Sequence, residues 1–164
     1  MNPNRRRFAA ATFAAALVAM LSLTAGAAIA APPDQLEART AAILAAHPGG
    51  EEIAPGILSW DDGAVVLTLD GAVSPQSIGT CLTGQYCAWS GTNYLGTKLA
   101  FTACSSSGTS SSLALLSGLA RSTANARTSG TVNAVNGGSV IYSMSANTGR
   151  PVNGSTLSHL VCYS

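Results

Sequence analysis

Nucleophilic catalysis needs a serine or cysteine beside a base, and this 164-residue chain has only two histidines, His47 and His159. No Asp or Glu occurs from residue 71 onward, so that part cannot supply paired carboxylates or the charged oxygens that bind Ca²⁺. Neither a G-x-S-x-G nor an H-E-x-x-H motif is present. We therefore expect no enzyme activity, no metal and no cofactor, and only a triad of His47 with an early carboxylate and a distant serine stays open.

The four cysteines predict a pair of disulfides. Cys81, Cys87, Cys104 and Cys162 are separated by 5, 16 and 57 residues, without a C-x-x-C pair or a histidine at zinc-ligand spacing. Three pairings are possible. We favour Cys81–Cys87 as a local closure and Cys104–Cys162 as a long one. Loop entropy gives these bonds about 2.4 and about 4.3 kcal/mol of stabilisation.

The first 30 residues resemble an export signal that is removed. Three arginines (5–7) precede an apolar stretch (8–23), and Ala28-Ile29-Ala30 fits a small-x-small cleavage site. An uncleaved membrane anchor and a twin-arginine signal are the alternatives. Without the signal, five basic residues face seven acidic ones, a net charge of −2 that excludes a basic nucleic-acid interface. We expect a secreted protein.

Residues 31–70, here called the acidic preface, predict a helix followed by a hairpin. Asp34 begins a helical pattern that ends at His47, because Pro48-Gly49-Gly50 follows. A hairpin is expected from strands at 57–60 and 64–69 with an Asp-Asp-Gly turn between them. The preface carries −6 against +4 in the rest of the mature chain. We expect it to pack on that part.

After a linker at 71–78, residues 79–164 form the predicted β domain. Turn residues recur about every ten positions without a βα alternation, which favours an all-β sandwich. The serine-rich stretch 105–112 is expected to be a flexible loop without chemistry. Strands are predicted at 86–90, 98–101, 113–116, 131–134, 139–144 and 157–162.

A short internal repeat predicts two tight corners. Trp89 precedes Gly96 by seven residues, and Tyr142 precedes Gly149 by the same interval. Glycine tolerates the positive φ that a tight fold-back requires, and an aromatic ring over the corner would shield the backbone. The other interpretation is a sugar-stacking platform formed by Trp89, Tyr94 and Tyr142.

These residues resemble a known family of small secreted actinobacterial proteins, the peptidase inhibitors that include the streptomycete metalloproteinase inhibitor. The resemblance covers residues 34–104. It rests on His-Pro-Gly-Gly at 47–50, Trp-Asp-x-Gly-x-Val-Val at 60–66, and a cysteine-framed aromatic segment at 81–101. That segment contains Tyr86-Cys87, Trp89 and Asn93-Tyr94-Leu95-Gly96.

The resemblance implies a mainly β, βγ-crystallin-like Greek-key sandwich preceded by a short helix and a hairpin. It also implies a monomeric inhibitor that blocks the cleft of an extracellular peptidase, in particular a metallopeptidase, with a rigid loop. This chain departs from the family at 117–122, where an acidic Ca²⁺ ligand is missing, and in the absence of a late disulfide-closed loop. The candidate inhibitory residues are Leu82, Thr83, Gly84, Gln85 and Tyr86 within the short cysteine loop, and Asn147 and Arg150 in the segment 146–153.

Two other functions compete with inhibition. One is binding of carbohydrate or cell-wall glycan through the aromatic residues, and the other is a structural secreted module without inhibitory activity.

Overall fold

The computed structural model describes residues 33–70, 81–152 and 156–164. The predicted export signal and the predicted linker lie outside the described residues, as does Asn153 of the second candidate loop. Within the described ranges, no helix has the length and apolar character needed to cross a membrane.

The predicted helix of the acidic preface is α1 (Pro33–Ala46), with Asp34 in its first turn. Its apolar side chains Leu36, Ile43 and Leu44 pack against the core, as their helical spacing predicts. The helix ends before Pro48, which cannot continue it, and Gly49 follows at a φ of 90°.

Apart from short 3₁₀ turns, the remaining described elements are strands in two antiparallel sheets. A seven-stranded sheet has the order β1-β2-β3-β5-β4-β7-β10, and a four-stranded sheet has the order β6-β11-β8-β9. The mainly β expectation is confirmed. The strands are β1 (Glu51–Ala54), β2 (Ile57–Trp60), β3 (Val65–Thr68), β4 (Tyr86–Trp89), β5 (Lys98–Phe101), β6 (Thr109–Ser112), β7 (Ser122–Asn125), β8 (Thr131–Asn136), β9 (Ser139–Ser145), β10 (Thr148–Pro151) and β11 (His159–Tyr163).

The acidic preface extends the larger sheet rather than forming a body of its own. Strands β2 and β3 form the predicted hairpin, and β3 pairs with β5 from Val65 opposite Phe101 to Thr68 opposite Lys98. The Arg39 guanidinium on α1 donates to the Asp70 carbonyl and to the Thr97 hydroxyl. The preface is therefore bonded to the β domain through both main chain and side chains.

The two sheets exchange strands. Of the first four strands of the β domain, β4, β5 and β7 lie in the larger sheet and β6 lies in the smaller one. Of the last four, β8, β9 and β11 lie in the smaller sheet and β10 lies in the larger one. Each half of the domain thus needs a strand of the other half to complete its sheet.

Strand β4 divides two apolar clusters. Tyr86 and Ala88 belong to the main core between the sheets, whereas Cys87 and Trp89 belong to a smaller cluster on the outer face. Successive side chains of a strand point to opposite faces, which explains the alternation. All four residues are buried, so β4 is covered on both sides.

Two predictions between residues 105 and 116 are wrong, namely the flexible loop over the whole of 105–112 and the strand at 113–116. Residues 109–112 form strand β6, whereas Ala114–Leu116 is a 3₁₀ turn rather than a strand. Serines have low strand preference, but here the sheet decides the conformation because β6 pairs along its length with β11. Strands β1, β7 and β10 had no sequence signal that distinguished them from loops.

The favoured cysteine pairing is the one in the structure. Cys81 bonds Cys87 with a Cα–Cα distance of 5.9 Å, and Cys104 bonds Cys162 with a distance of 5.0 Å. The second bond joins the end of the β5 segment to strand β11, 58 residues later.

Removing the two disulfides separately should have unequal effects on stability. The Cys104→Ser/Cys162→Ser variant should lose about 4 kcal/mol of unfolding free energy and the Cys81→Ser/Cys87→Ser variant about 2 kcal/mol, because the longer closed loop restricts the unfolded chain more. Urea denaturation of both variants and the oxidised protein measures this difference. An equal loss in the two variants would contradict the loop-entropy account.

Candidate functional site

Residues 82–85, here called the clamp turn, form the tip of the short disulfide loop. The Gln85 N–H donates to the Leu82 carbonyl at 3.0 Å, and the Leu82 N–H donates to Gln85 Oε1 at 3.2 Å. Gly84 has a φ of 90°, a backbone conformation that is strained for any residue with a side chain. The turn is thus closed by hydrogen bonds as well as by the Cys81–Cys87 bond.

The base of the clamp turn is fixed to the neighbouring strand segment. The Gly84 N–H donates to the Ala126 carbonyl at 3.1 Å, and the Ala126 N–H donates to the Gln85 carbonyl at 2.9 Å. These two bonds continue the β4–β7 pairing beyond the strands. The tip remains accessible, since Leu82 is 43% exposed. The clamp turn therefore presents an exposed tip on a restrained main chain.

Arg127 joins the clamp turn to the second candidate segment. Its Nη1 donates to the Gly84 carbonyl at 3.3 Å and to the Thr102 carbonyl at 3.1 Å, and its own carbonyl accepts from the Asn147 N–H at 3.2 Å. The structure thus brings Asn147 to the same end of the sheet as the clamp turn. We call residues 82–85, Arg127 and Asn147 the clamp end. No sequence pattern marked Arg127, because its role depends on the pairing of β4 with β7.

Two of the candidate inhibitory residues, Tyr86 and Arg150, are not part of the clamp end. Tyr86 is fully buried, its hydroxyl donates to the Ala103 carbonyl at 2.8 Å, and the Ser111 hydroxyl lies 2.7 Å away. A partner could not reach this side chain in the folded protein. Arg150 lies in strand β10 opposite Thr123, with its guanidinium carbon 5.2 Å from the centre of the Tyr142 ring.

The two predicted corners differ from each other. Gly96 has the expected positive φ of 80°, and the rings of Trp89 and Tyr94 meet edge to face beside it at 5.2 Å. Gly149 instead lies inside strand β10 without a positive φ. A Cβ at Gly149 would come within 2.5 Å of the Tyr94 hydroxyl. Its lack of a side chain thus makes room for Tyr94 and does not create a second corner.

The aromatic residues do not form an open stacking surface. Trp89 is only 1% exposed, and Arg150 covers Tyr142, whose hydroxyl bonds the Thr123 hydroxyl at 2.8 Å. A sugar ring needs an accessible aromatic face. The arrangement speaks against the proposed platform of Trp89, Tyr94 and Tyr142.

The two histidines have structural contacts. The His47 carbonyl accepts the Trp60 indole N–H at 3.1 Å, and the His159 imidazole lies 3.0 Å from the Ser158 hydroxyl. In the described part of the chain, no hydrogen bond links the His47 ring to Asp61 or to a serine, although these groups line one cavity of about 430 Å³. Nor do the described residues contain three His, Cys, Asp or Glu side chains grouped to hold a metal ion.

Within the described residues, burial shifts the pKa of three groups. It raises the pKa of Tyr86, an effect opposed by the Ser111 hydrogen bond and the Arg127 charge. It also raises the pKa of Tyr142, where the Thr123 hydrogen bond and the Arg150 charge oppose it. Burial lowers the pKa of Lys98. Arg127 therefore acts electrostatically on the core as well as on the clamp turn.

The clamp end lies inside the part of the chain that matches a known protein family. Residues 74–151 match the model of peptidase inhibitor family I36. The resemblance inferred from the sequence is therefore confirmed, and the match supports a peptidase inhibitor function. The matched range contains the whole clamp end and excludes the acidic preface. No curated protein and no solved structure gives a significant match.

The buried tyrosines should make the fold less stable in alkali. Their pKa values are raised above the ordinary 10.0 in the folded state, so the unfolded chain loses these protons first and unfolding becomes easier as the pH rises above 10. Urea denaturation from neutral pH upward should show this fall, and the Tyr86→Phe/Tyr142→Phe variant should show a shallower one.

Lys98 gives a control of opposite sign. Its pKa is lowered from the ordinary 10.5, so between the lowered value and 10.5 the unfolded chain binds more protons and stability rises with pH. Replacement by methionine should therefore steepen the alkaline fall. If neither the tyrosine variant nor the lysine variant alters how the unfolding free energy changes with pH, the buried tyrosines and Lys98 do not cause the alkaline loss of stability.

Proposed function

We propose that the protein is a secreted inhibitor of an extracellular metallopeptidase and acts by steric blockade of the active-site cleft. The observation that carries this proposal is the family match over residues 74–151. Two disulfides in a chain of this size are typical of exported proteins and support an extracellular location. The proposal includes removal of the export signal, a monomeric state and absence of enzyme activity.

For the architecture, we propose that residues 79–164 form a βγ-crystallin-like Greek-key domain to which the acidic preface (31–70) is attached by a linker (71–78). The reciprocal exchange of β6 and β10 between the sheets supports this arrangement. The preface adds strands to the larger sheet and leaves the clamp end accessible at β4.

We propose the clamp end as the surface that contacts the peptidase. A peptidase cuts a segment that adapts to its cleft and whose ends separate after cleavage. In the clamp turn, the disulfide and the two bonds to Ala126 hold both ends in place. A contact that is already ordered before binding loses little conformational entropy, which favours tight and slowly cleaved complexes. Leu82 and Thr83 would make the first contacts.

Carbohydrate binding is the weaker alternative, because Trp89 is buried and the other rings are partly covered. A structural module without inhibitory activity would share every feature of the fold. Only a measurement of inhibition separates it from an inhibitor.

Titration of the oxidised mature protein (31–164) into a thermolysin-like metallopeptidase should abolish its activity at stoichiometric concentrations. A subtilisin-like serine peptidase serves as the comparison, and intact mass is followed throughout. The inhibitor should remain uncut or be cut once inside a disulfide loop. Full activity of both peptidases beside an undigested chain would disprove the proposed function and favour the structural module.

Opening the short disulfide should convert the clamp turn into a substrate. The Cys81→Ser/Cys87→Ser variant should be cut within 82–85 by the same metallopeptidase, because its ends are then free to separate. Mass spectrometry of the fragments locates the cut. The Cys104→Ser/Cys162→Ser variant controls for general loss of stability and should stay intact at 82–85. A folded clamp variant that inhibits like the unaltered protein and remains uncut would exclude the clamp turn as the contact.

A further inference from the structure

A second restrained turn lies at the other end of strand β4. Tyr86 pairs with Asn125 near the clamp turn, and Trp89 pairs with Ser122 at the opposite end. Residues 91–96, here called the leucine turn, connect this opposite end to β5. The two turns are therefore separated by the length of β4.

The leucine turn contains two strained residues. Asn93 and Tyr94 are consecutive non-glycine residues with φ values of 54° and 61°. Bulky residues rarely adopt this left-handed conformation, and it persists only where the surroundings enforce it. The Ser122 hydroxyl provides such enforcement, because it accepts from the Tyr94 N–H at 3.0 Å and donates to the Gly91 carbonyl at 2.8 Å.

Further contacts fix the turn on both sides. The Gly91 N–H donates to the Leu95 carbonyl at 2.9 Å, and the Leu95 N–H donates to the Thr92 carbonyl at 3.2 Å. The Tyr94 ring packs against Trp89, and its hydroxyl occupies the space that a side chain at Gly149 would fill. The turn is therefore held by the outer apolar cluster and by strand β10.

This restrained turn presents an apolar side chain to solvent. Leu95 is 66% exposed, more than any other large hydrophobic residue of the described ranges, and its backbone is extended (φ −105°, ψ 170°). Leu119 is 57% exposed and lines a shallow cavity with Ser90 and Thr97 at the base of the turn. A protruding leucine on a fixed support fits a concave apolar pocket. Because the turn lies inside the range that matches a peptidase inhibitor family, we take that pocket to belong to a peptidase.

We infer that the leucine turn is a second peptidase-docking surface, with Leu95 occupying an apolar specificity pocket. This inference rests on the proposed function, since the turn lies within residues 74–151 and shares a restrained backbone and an exposed leucine with the clamp turn. The N–H and carbonyl of Leu95 are both bonded inside the turn, so it enters the pocket through its side chain and not as an extended substrate strand. One chain then binds two peptidase molecules, one at each end of β4.

The test is the number of thermolysin-like peptidase molecules inactivated by each chain, measured by tight-binding titration and native mass spectrometry. The unaltered mature protein should inactivate two, and Leu95→Asp should inactivate one, because a carboxylate is excluded from an apolar pocket. Ile53→Asp is the matched control, since Ile53 is an exposed apolar residue on β1 outside the family match, and it should still inactivate two. Urea denaturation verifies that both variants fold.

The outcomes separate this inference from the proposed function. If the unaltered protein does not inhibit, the proposed function fails irrespective of Leu95. If it inhibits and Leu95→Asp inactivates the same number of molecules with the same inhibition constant, the leucine turn is not a docking surface. One molecule per unaltered chain, abolished by Leu95→Asp, would overturn the two-surface assignment by leaving the leucine turn as the sole contact.

Discussion

The burial of strand β4 on both faces is the constraint on which the rest of the molecule depends. Tyr86 and Ala88 occupy the core between the sheets, while Cys87 and Trp89 occupy the outer cluster. A strand in this position cannot slip by one residue, because every side chain would then move to the wrong face. Both turns that leave β4 consequently begin from a fixed position and direction.

The two turns are restrained by different chemistry at the two ends of that strand. A covalent bond closes the clamp turn, and Ala126 and Arg127 hold it from the neighbouring segment. In the leucine turn, one serine hydroxyl and an aromatic pair enforce a strained main chain. Both arrangements leave the tip exposed while its base is fixed, which is the physical requirement for a contact ordered before its partner arrives.

The acidic preface completes the larger sheet and also contacts the base of the leucine turn, since Arg39 and the Asp70 N–H both donate to the Thr97 hydroxyl. Its three strands, β1, β2 and β3, lie beside β5, on the side of that strand away from β4. Helix α1 packs leucine and isoleucine side chains on the main core, and Arg39 bonds Asp70 and Thr97, which flank the ends of β3 and β5. These contacts cover strand β5, which would otherwise be an open edge available for unwanted pairing.

Local sequence patterns predicted many of the helices and strands of this protein. The helix, the β2–β3 hairpin and the strands around Tyr86 and Lys98 follow from periodicity and turn residues. Among the three possible cysteine pairings, the folded structure decides for the favoured one. Strands β6, β7 and β10 were decided by tertiary structure, since their short polar segments lack an alternating apolar pattern and a neighbouring strand supplies their hydrogen bonds. The same dependence governs the candidate sites. The sequence marked the clamp turn by its cysteines, whereas Arg127, Ser122 and Gly149 gain their roles from residues that are distant in the chain and adjacent only in the folded sheet.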